Sequence, residues 1–152
     1  MRNTMKEKSR IRRVRLKNSG IHHWTLFGIV SSEPDYRLSL ALNRKLEISL
    51  KSSSPQIIHD DKDAEMSFSK FSSSSGPGKM NCNLVSNRSG KSLLVRKMKS
   101  IDYFLLIHES LEEKESDLLL KSLRETECIT AALKIEAGTL KGKDLKNIIH
   151  QI

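Results

Sequence analysis

The chain has 152 residues, enough for one domain with its own core and too few for two. Lys and Arg outnumber Asp and Glu by 27 to 18, a net charge of +9, but residues 1–20 hold eight of these cations against Glu7 alone, so the other 132 residues carry only +2. No apolar run approaches the ~18 residues of a membrane-spanning helix, which excludes a helical membrane protein.

The first element expected is a strand in "IRRVRLK" (11–17), with Val14 and Leu16 on one face and Arg13, Arg15 and Lys17 on a wet one. After the Asn18-Ser19-Gly20 turn, "WTLFGIV" (24–30) has strand length, and Gly28 marks a bulge or a close backbone approach. "DYRLSLALNRKLEISL" fits both periods. The start signals Ser32-Glu33-Pro34-Asp35 favour a helix over about 34–46, which leaves "EISLKSS" as a strand. Residues 51–79, with serine clusters at 52–54 and 72–75 and the "SSSSGPG" stretch, are expected to be flexible, apart from an edge strand carrying Met66, Phe68 and Phe71. "MNCNLVSN" (80–87) and "KSLLV" (91–95) read as a hairpin about Arg88-Ser89-Gly90.

"IDYFLLI" (101–107) is a buried strand by its unbroken apolar run. Ser110-Leu111-Glu112-Glu113 reads as a capping box, opening a helix with Leu118, Leu119 and Leu123 on one side. Its acids come first and Lys121 and Arg124 last, as the helix dipole favours. "CITAALKI" (128–135) alternates as a strand, and "KDLKNIIHQI" is a short terminal helix or tail. The chain therefore divides into a basic arm (1–20), an α+β domain (21–140) and a terminal segment (141–152). The fold class is α+β, an antiparallel or mixed sheet with two packed helices in a single-domain sandwich.

Gly90-Lys91-Ser92 imitates the end of a phosphate-binding P-loop, but Val85 stands where the first glycine belongs and "KSLLV" is strand-like, so nucleotide binding is rejected. Asp61, Asp63 and Glu65 lack the mid-loop glycine and the final glutamate of a calcium loop, and a solvated acidic turn is expected instead. Cys82 and Cys128 form no CxxC pair, and no histidine lies near Cys82 in sequence. Cys128 reads as a small core residue within a strand. No G-x-S-x-G or HExxH pattern occurs, so no catalytic, metal or cofactor residue is assigned and a non-enzymatic protein is expected. The start lacks the apolar segment of an export signal, which points to a cytoplasmic address with free thiols, though an arginine-rich, acid-poor start also fits a transit peptide.

"LLVRKMKSIDYFLLI", with "DYRLSLALN" and "SNRSG", resembles the bacterial IPExxxVDY family of small proteins over about residues 24–136. The likeness rests on Asp35-Tyr36-Arg37, Asn43, the strand with Phe68 and Phe71, Asn87-Arg88-Ser89 and Ile101-Asp102-Tyr103. In the naming motif Val95 replaces isoleucine, Arg96 and Lys97 take the proline and glutamate positions, and Ile101 replaces valine, making this loop basic. The resemblance implies a fold and a cytoplasmic address, and it carries no chemistry.

From the residues themselves, Asp35 is expected in the first helical turn, Tyr36 in the core and Arg37 beside a carboxylate. Asp102, in an apolar strand, must be paired or hydrogen-bonded, and the reading is that it caps a loop or bridges to Arg37. A partner is implied by the cations Arg10, Arg12, Arg13, Arg15 and Lys17 together with Arg88, Lys91, Arg96, Lys97 and Lys99, the second group lying in an acid-free stretch, 87–100. These suit phosphate contact with RNA or a ribonucleoprotein. Without stacking aromatics they do not suit sequence-specific single-strand readout. A protein partner is the other binding option. The alternative is a small-ligand protein or enzyme with Asp35, Arg37 and Asp102 in one cleft.

Overall fold

The computed structural model of the protein describes residues 23–60, 62–74 and 80–149. The strand expected at 11–17, with Arg10, Arg12, Arg13, Arg15 and Lys17, lies outside the described residues. The elements are β1 (Thr25–Val30), α1 (Asp35–Leu46), β2 (Lys51–His59), β3 (Glu65–Ser73), β4 (Cys82–Ser86), β5 (Arg88–Ser89), β6 (Ser92–Leu93), β7 (Tyr103–Ile107), α2 (Glu113–Arg124), β8 (Ala131–Ile135) and α3 (Gly142–Ile149). Single 3-10 turns lie at Arg96–Met98 and Ala137–Thr139. Six strands form one sheet in the order β2-β3-β4-β7-β1-β8. Every neighbouring pair is antiparallel, and β5 and β6 make a separate ribbon. The α+β class is as the sequence implies.

β7 explains the layering. Tyr103, Leu105 and Ile107 join a cluster with Leu38 and Leu42 of α1 and Leu119 and Leu123 of α2. Phe104 and Leu106 join a second cluster with Leu94, Val95 and Ile101 of the preceding loop and Leu140 and Ile148 near the C-terminal end. A strand covered on both faces has no wet side, hence the unbroken apolar run. Gly28 opposes Phe104 on neighbouring β1. A Cβ there would come within 3.0 Å of the Ile101 Cδ1 and 3.2 Å of the Ile135 Cδ1. Gly28 is therefore crowded by two isoleucine side chains, rather than by a bulge or a neighbouring backbone as expected.

The serine-rich stretch differs most from expectation. Its described part holds β2 and β3, nine residues each, paired as a hairpin, while 61 and 75–79 lie outside the described residues. β2 begins at Lys51 rather than at Glu47, because Glu47 turns left-handed (φ 56°) to end α1. Pro55 lies where the register shifts between Ser53 and Gln56, on the edge strand, where a missing N–H is tolerated. β3 is consequently one strand in from the edge, not at it.

The hairpin expected across 80–95 is also rearranged. β4 pairs with β3 and β7, and only Arg88-Ser89 pairs with Ser92-Leu93. Gly90 (φ 59°) turns the chain as expected, while Lys91 sits in that turn and not in a strand. The cap of α2 falls two residues later than Ser110. Glu112 and Glu115 form the capping box, with the Glu112 N–H donating to the Glu115 Oε1 at 3.2 Å. Leu111 is held before the helix starts, its N–H donating to Thr25 Oγ1 at 2.9 Å.

Leu118 is 59% exposed, and the inward face of α2 is Ser116, Leu119 and Leu123, at helical spacing. Cys128 lies in a turn before β8, and Leu133 of that edge strand is exposed, so Ala132 and Ile135 supply its buried contacts. Among the described residues no helix is long and apolar enough to cross a membrane.

Candidate functional site

The loop from Arg88 to Lys99, which carries the cations, is folded around one side chain. Asn87 is fully buried. Its Oδ1 accepts the Val95 N–H at 2.8 Å, and its Nδ2 donates to the carbonyls of Ile101 (2.8 Å) and Met98 (3.0 Å). Its backbone N–H donates to the Asp102 carbonyl, and its carbonyl accepts the Leu94 N–H, each at 2.9 Å. One carboxamide thus meets the loop at three points, as a buried polar group must if it is to be tolerated.

Arg88 and Asp102 clamp the loop's ends. The Arg88 Nε donates to the Asp102 Oδ1 at 2.8 Å, and its guanidinium also reaches the Lys99 carbonyl. The Asp102 Oδ2 accepts the Ser31 N–H at 2.9 Å, so this carboxylate caps a loop as expected. Its cation is Arg88, however, not Arg37. Arg37 lies on the surface, 3.8 Å from Glu33 one turn earlier. Asp35 accepts the Tyr36 N–H at 2.7 Å, and Tyr36 is 55% exposed rather than in the core.

Tyr103 is buried and donates its hydroxyl proton to the Glu33 carbonyl at 2.7 Å. Burial first, then the charges of Asp35 and Asp102, push its hydroxyl up to about 12. Asn43 pairs with Leu50, accepting its N–H at 2.7 Å and donating to its carbonyl at 3.2 Å. Asn43, Asn87, Arg88, Asp102 and Tyr103 therefore each tie one segment to another.

The loop displays its charge along a groove. Two adjoining hollows of about 410 Å³ each share Met66, Leu93 and Arg96. Ile58 and Leu94 extend the apolar floor of one, and Lys97, Lys143 and Asn147 stand around it with the acids Asp60 and Asp144. Lys91 flanks the other. Lys91, Arg96, Lys97 and Lys99 are exposed, and the Lys97 ammonium donates to the Thr139 carbonyl, which ties the loop to the segment ahead of α3. Lys91, Arg96, Lys97 and Lys143 against Asp60 and Asp144, along a trough of mixed polar and apolar lining, suit an extended anion better than a compact one.

The other candidate chemistry is quiet. Cys82 is buried and its thiol is pushed up to about 12, the opposite of a reactive thiolate. Burial also raises Cys128. Asp60 accepts the N–H groups of Lys62 (2.9 Å) and Ala64 (2.8 Å), so the acidic stretch makes the β2–β3 turn. Among the described residues no His, Cys, Asp and Glu side chains gather as metal ligands would. No protein-family model matches the chain, and no curated protein matches it either.

Two contributors escaped the sequence reading. Lys143 reaches the groove from α3, far from the basic loop in sequence, and nothing local signals that. Lys70 is buried on the sheet, and its signal was present: two residues after Phe68 in a strand, it must share that core residue's face.

Proposed function

We propose that this protein is a non-enzymatic, cytoplasmic binding domain that holds RNA, free or within a ribonucleoprotein, by its phosphate backbone along the Arg88–Lys99 loop. The observation that carries this is the pinning of an acid-free cationic loop by a buried asparagine. A loop backbone held in place before binding loses little conformational entropy when its cations meet phosphates. Arg10, Arg12, Arg13, Arg15 and Lys17 precede the domain and would add charge to the same contact. The Arg88 guanidinium is partly engaged by Asp102, so Lys91, Arg96 and Lys99 are the principal phosphate contacts, with Lys97 and Lys143 beside them.

Neither the loop nor the arm carries an aromatic residue for base stacking, so recognition rests on charge and not on sequence. The interior hydrogen bonds of Asn43, Asn87, Asp102 and Tyr103 also support kinship with the IPExxxVDY proteins as a relationship of fold, since positions that hold a fold together are those a divergent relative keeps. The test compares two single-stranded RNAs of equal length and unrelated sequence at low salt. Similar affinities agree with backbone contact, and a strong preference for one contradicts it.

A further inference from the structure

A third hollow, about 450 Å³, lies on the sheet itself where β3, β4 and β7 end, and it shares no lining residue with the basic groove. Phe68, Lys70 and Ser72 alternate onto one face of β3, and the register sets Lys70 opposite Val85 and Ser72 opposite Asn83. Phe68 and Val85 are core residues, so Lys70 continues a core row with a cation. It is only 8% exposed, and among the described residues its ammonium has no ion pair or hydrogen bond. Burying an ammonium without a counter-charge is unfavourable.

The rest of the lining supplies donors. The Ser72 hydroxyl donates to the Asn83 Oδ1 at 2.8 Å, which occupies that carboxamide's acceptor and leaves its NH2 to donate elsewhere. Asn81 and Ser53 add an amide and a hydroxyl, and the His108 backbone N–H donates to the Asn81 backbone carbonyl at 2.9 Å. The Nδ1 of His108 is buried without a partner. No carboxylate stands among the described residues of the lining.

We infer that this hollow is a binding site for a small oxyanion, a carboxylate or a phosphate, paired with the Lys70 ammonium and accepting hydrogen bonds from Asn83, Asn81 and Ser53. Its size is that of ordinary small-molecule sites. Desolvation lowers the Lys70 amine from its usual value and, with the charge of Lys70, lowers His108 too. A bound anion supplies the charge that both lack.

The test is a titration of the intact protein with inorganic phosphate and, separately, with acetate at constant ionic strength, followed residue by residue in amide NMR spectra. Saturating shifts at Asn81, Asn83 and His108 are expected, and the anion that binds tighter identifies the class. Lys70→Met lowers the affinity about tenfold or more, the loss of one charge-assisted bond. Should that variant misfold, Asn81→Asp decides: at an exposed position it sets a carboxylate in the lining and weakens binding to a similar degree while spectral dispersion is kept. No saturable change at these amides with either anion overturns the inference. So does unaltered affinity in Asn81→Asp, or a response confined to Arg96, Lys97 and Lys143, which assigns the anion to the groove instead.

Discussion

The carboxamide of Asn87 accepts the backbone N–H of Val95 at 2.8 Å in full burial, and this bond closes the loop that carries Arg88, Lys91, Arg96, Lys97 and Lys99. Asn87→Ala strands the Val95 donor and the Ile101 acceptor, while the Met98 carbonyl keeps the Ile101 N–H. Each buried group left unmade costs about 1–3 kcal/mol, so the two together should cost about 2–6 kcal/mol in urea unfolding. Parent-like stability would mean that the loop is held by its apolar contacts alone.

Arg88 and Asp102 are unequal partners. The pair is half exposed on the arginine side, and such pairs contribute about 0.2–1 kcal/mol. Arg88 also holds the Lys99 carbonyl at an exposed site, whereas Asp102 also receives the N–H of buried Ser31, so Asp102→Ala destabilises more than Arg88→Ala. A double-mutant cycle should return a coupling under about 1 kcal/mol. Equal single-mutant effects would remove the loop-capping role from Asp102.

The face of α2 is set by Leu119 and Leu123. Leu119→Ala should cost about 2–5 kcal/mol through lost burial and a cavity, while Leu118→Ala, at an exposed position, should change stability by no more than about 0.5 kcal/mol. Ser110→Ala should be equally silent, because Glu112 and Glu115 cap the helix. Thermal melts of the three variants check the order.

Alkaline stability follows from two buried acids. Tyr103 and Cys82 are each pushed up to about 12, above their ordinary values of 10.0 and 9.0. The unfolded chain releases these protons first, so the stabilisation is complete below about pH 9 and is lost as pH rises towards 12. Tyr103→Phe should lower stability at neutral pH, through the lost bond to Glu33, and flatten the decline above pH 10. An unchanged alkaline slope would show that Tyr103 is not the group titrating there.

How much of this was legible varied with the kind of signal. β7 was plain because burial on both faces writes itself as an apolar run, and α1 because Pro34 and Asp35 mark its start. The serine strands were not. Serine's place in a sheet is decided by cross-strand neighbours, such as Phe71 opposite Ser52 and Asn83 opposite Ser72, which no local pattern reveals. The cap of α2 shifted because Leu111 is tethered to Thr25, 86 residues away. Of the candidate site, the loop's charge was visible in sequence, whereas the groove depends on Lys143 and Met66 arriving from distant elements.

Contact between the loop cations and phosphates is measured directly by its salt dependence. Each phosphate contact to a single strand contributes about 0.7 to the slope of log affinity against log salt. The parent should bind a single-stranded RNA at ~50 mM salt and weaken steadily as salt rises. Replacing Lys91, Arg96 and Lys99 together with serine should weaken binding and make the slope shallower by about 2, with an unchanged melting profile. A parent that binds no RNA at low salt, or a triple variant with the parent's affinity and slope, would contradict phosphate contact by the loop.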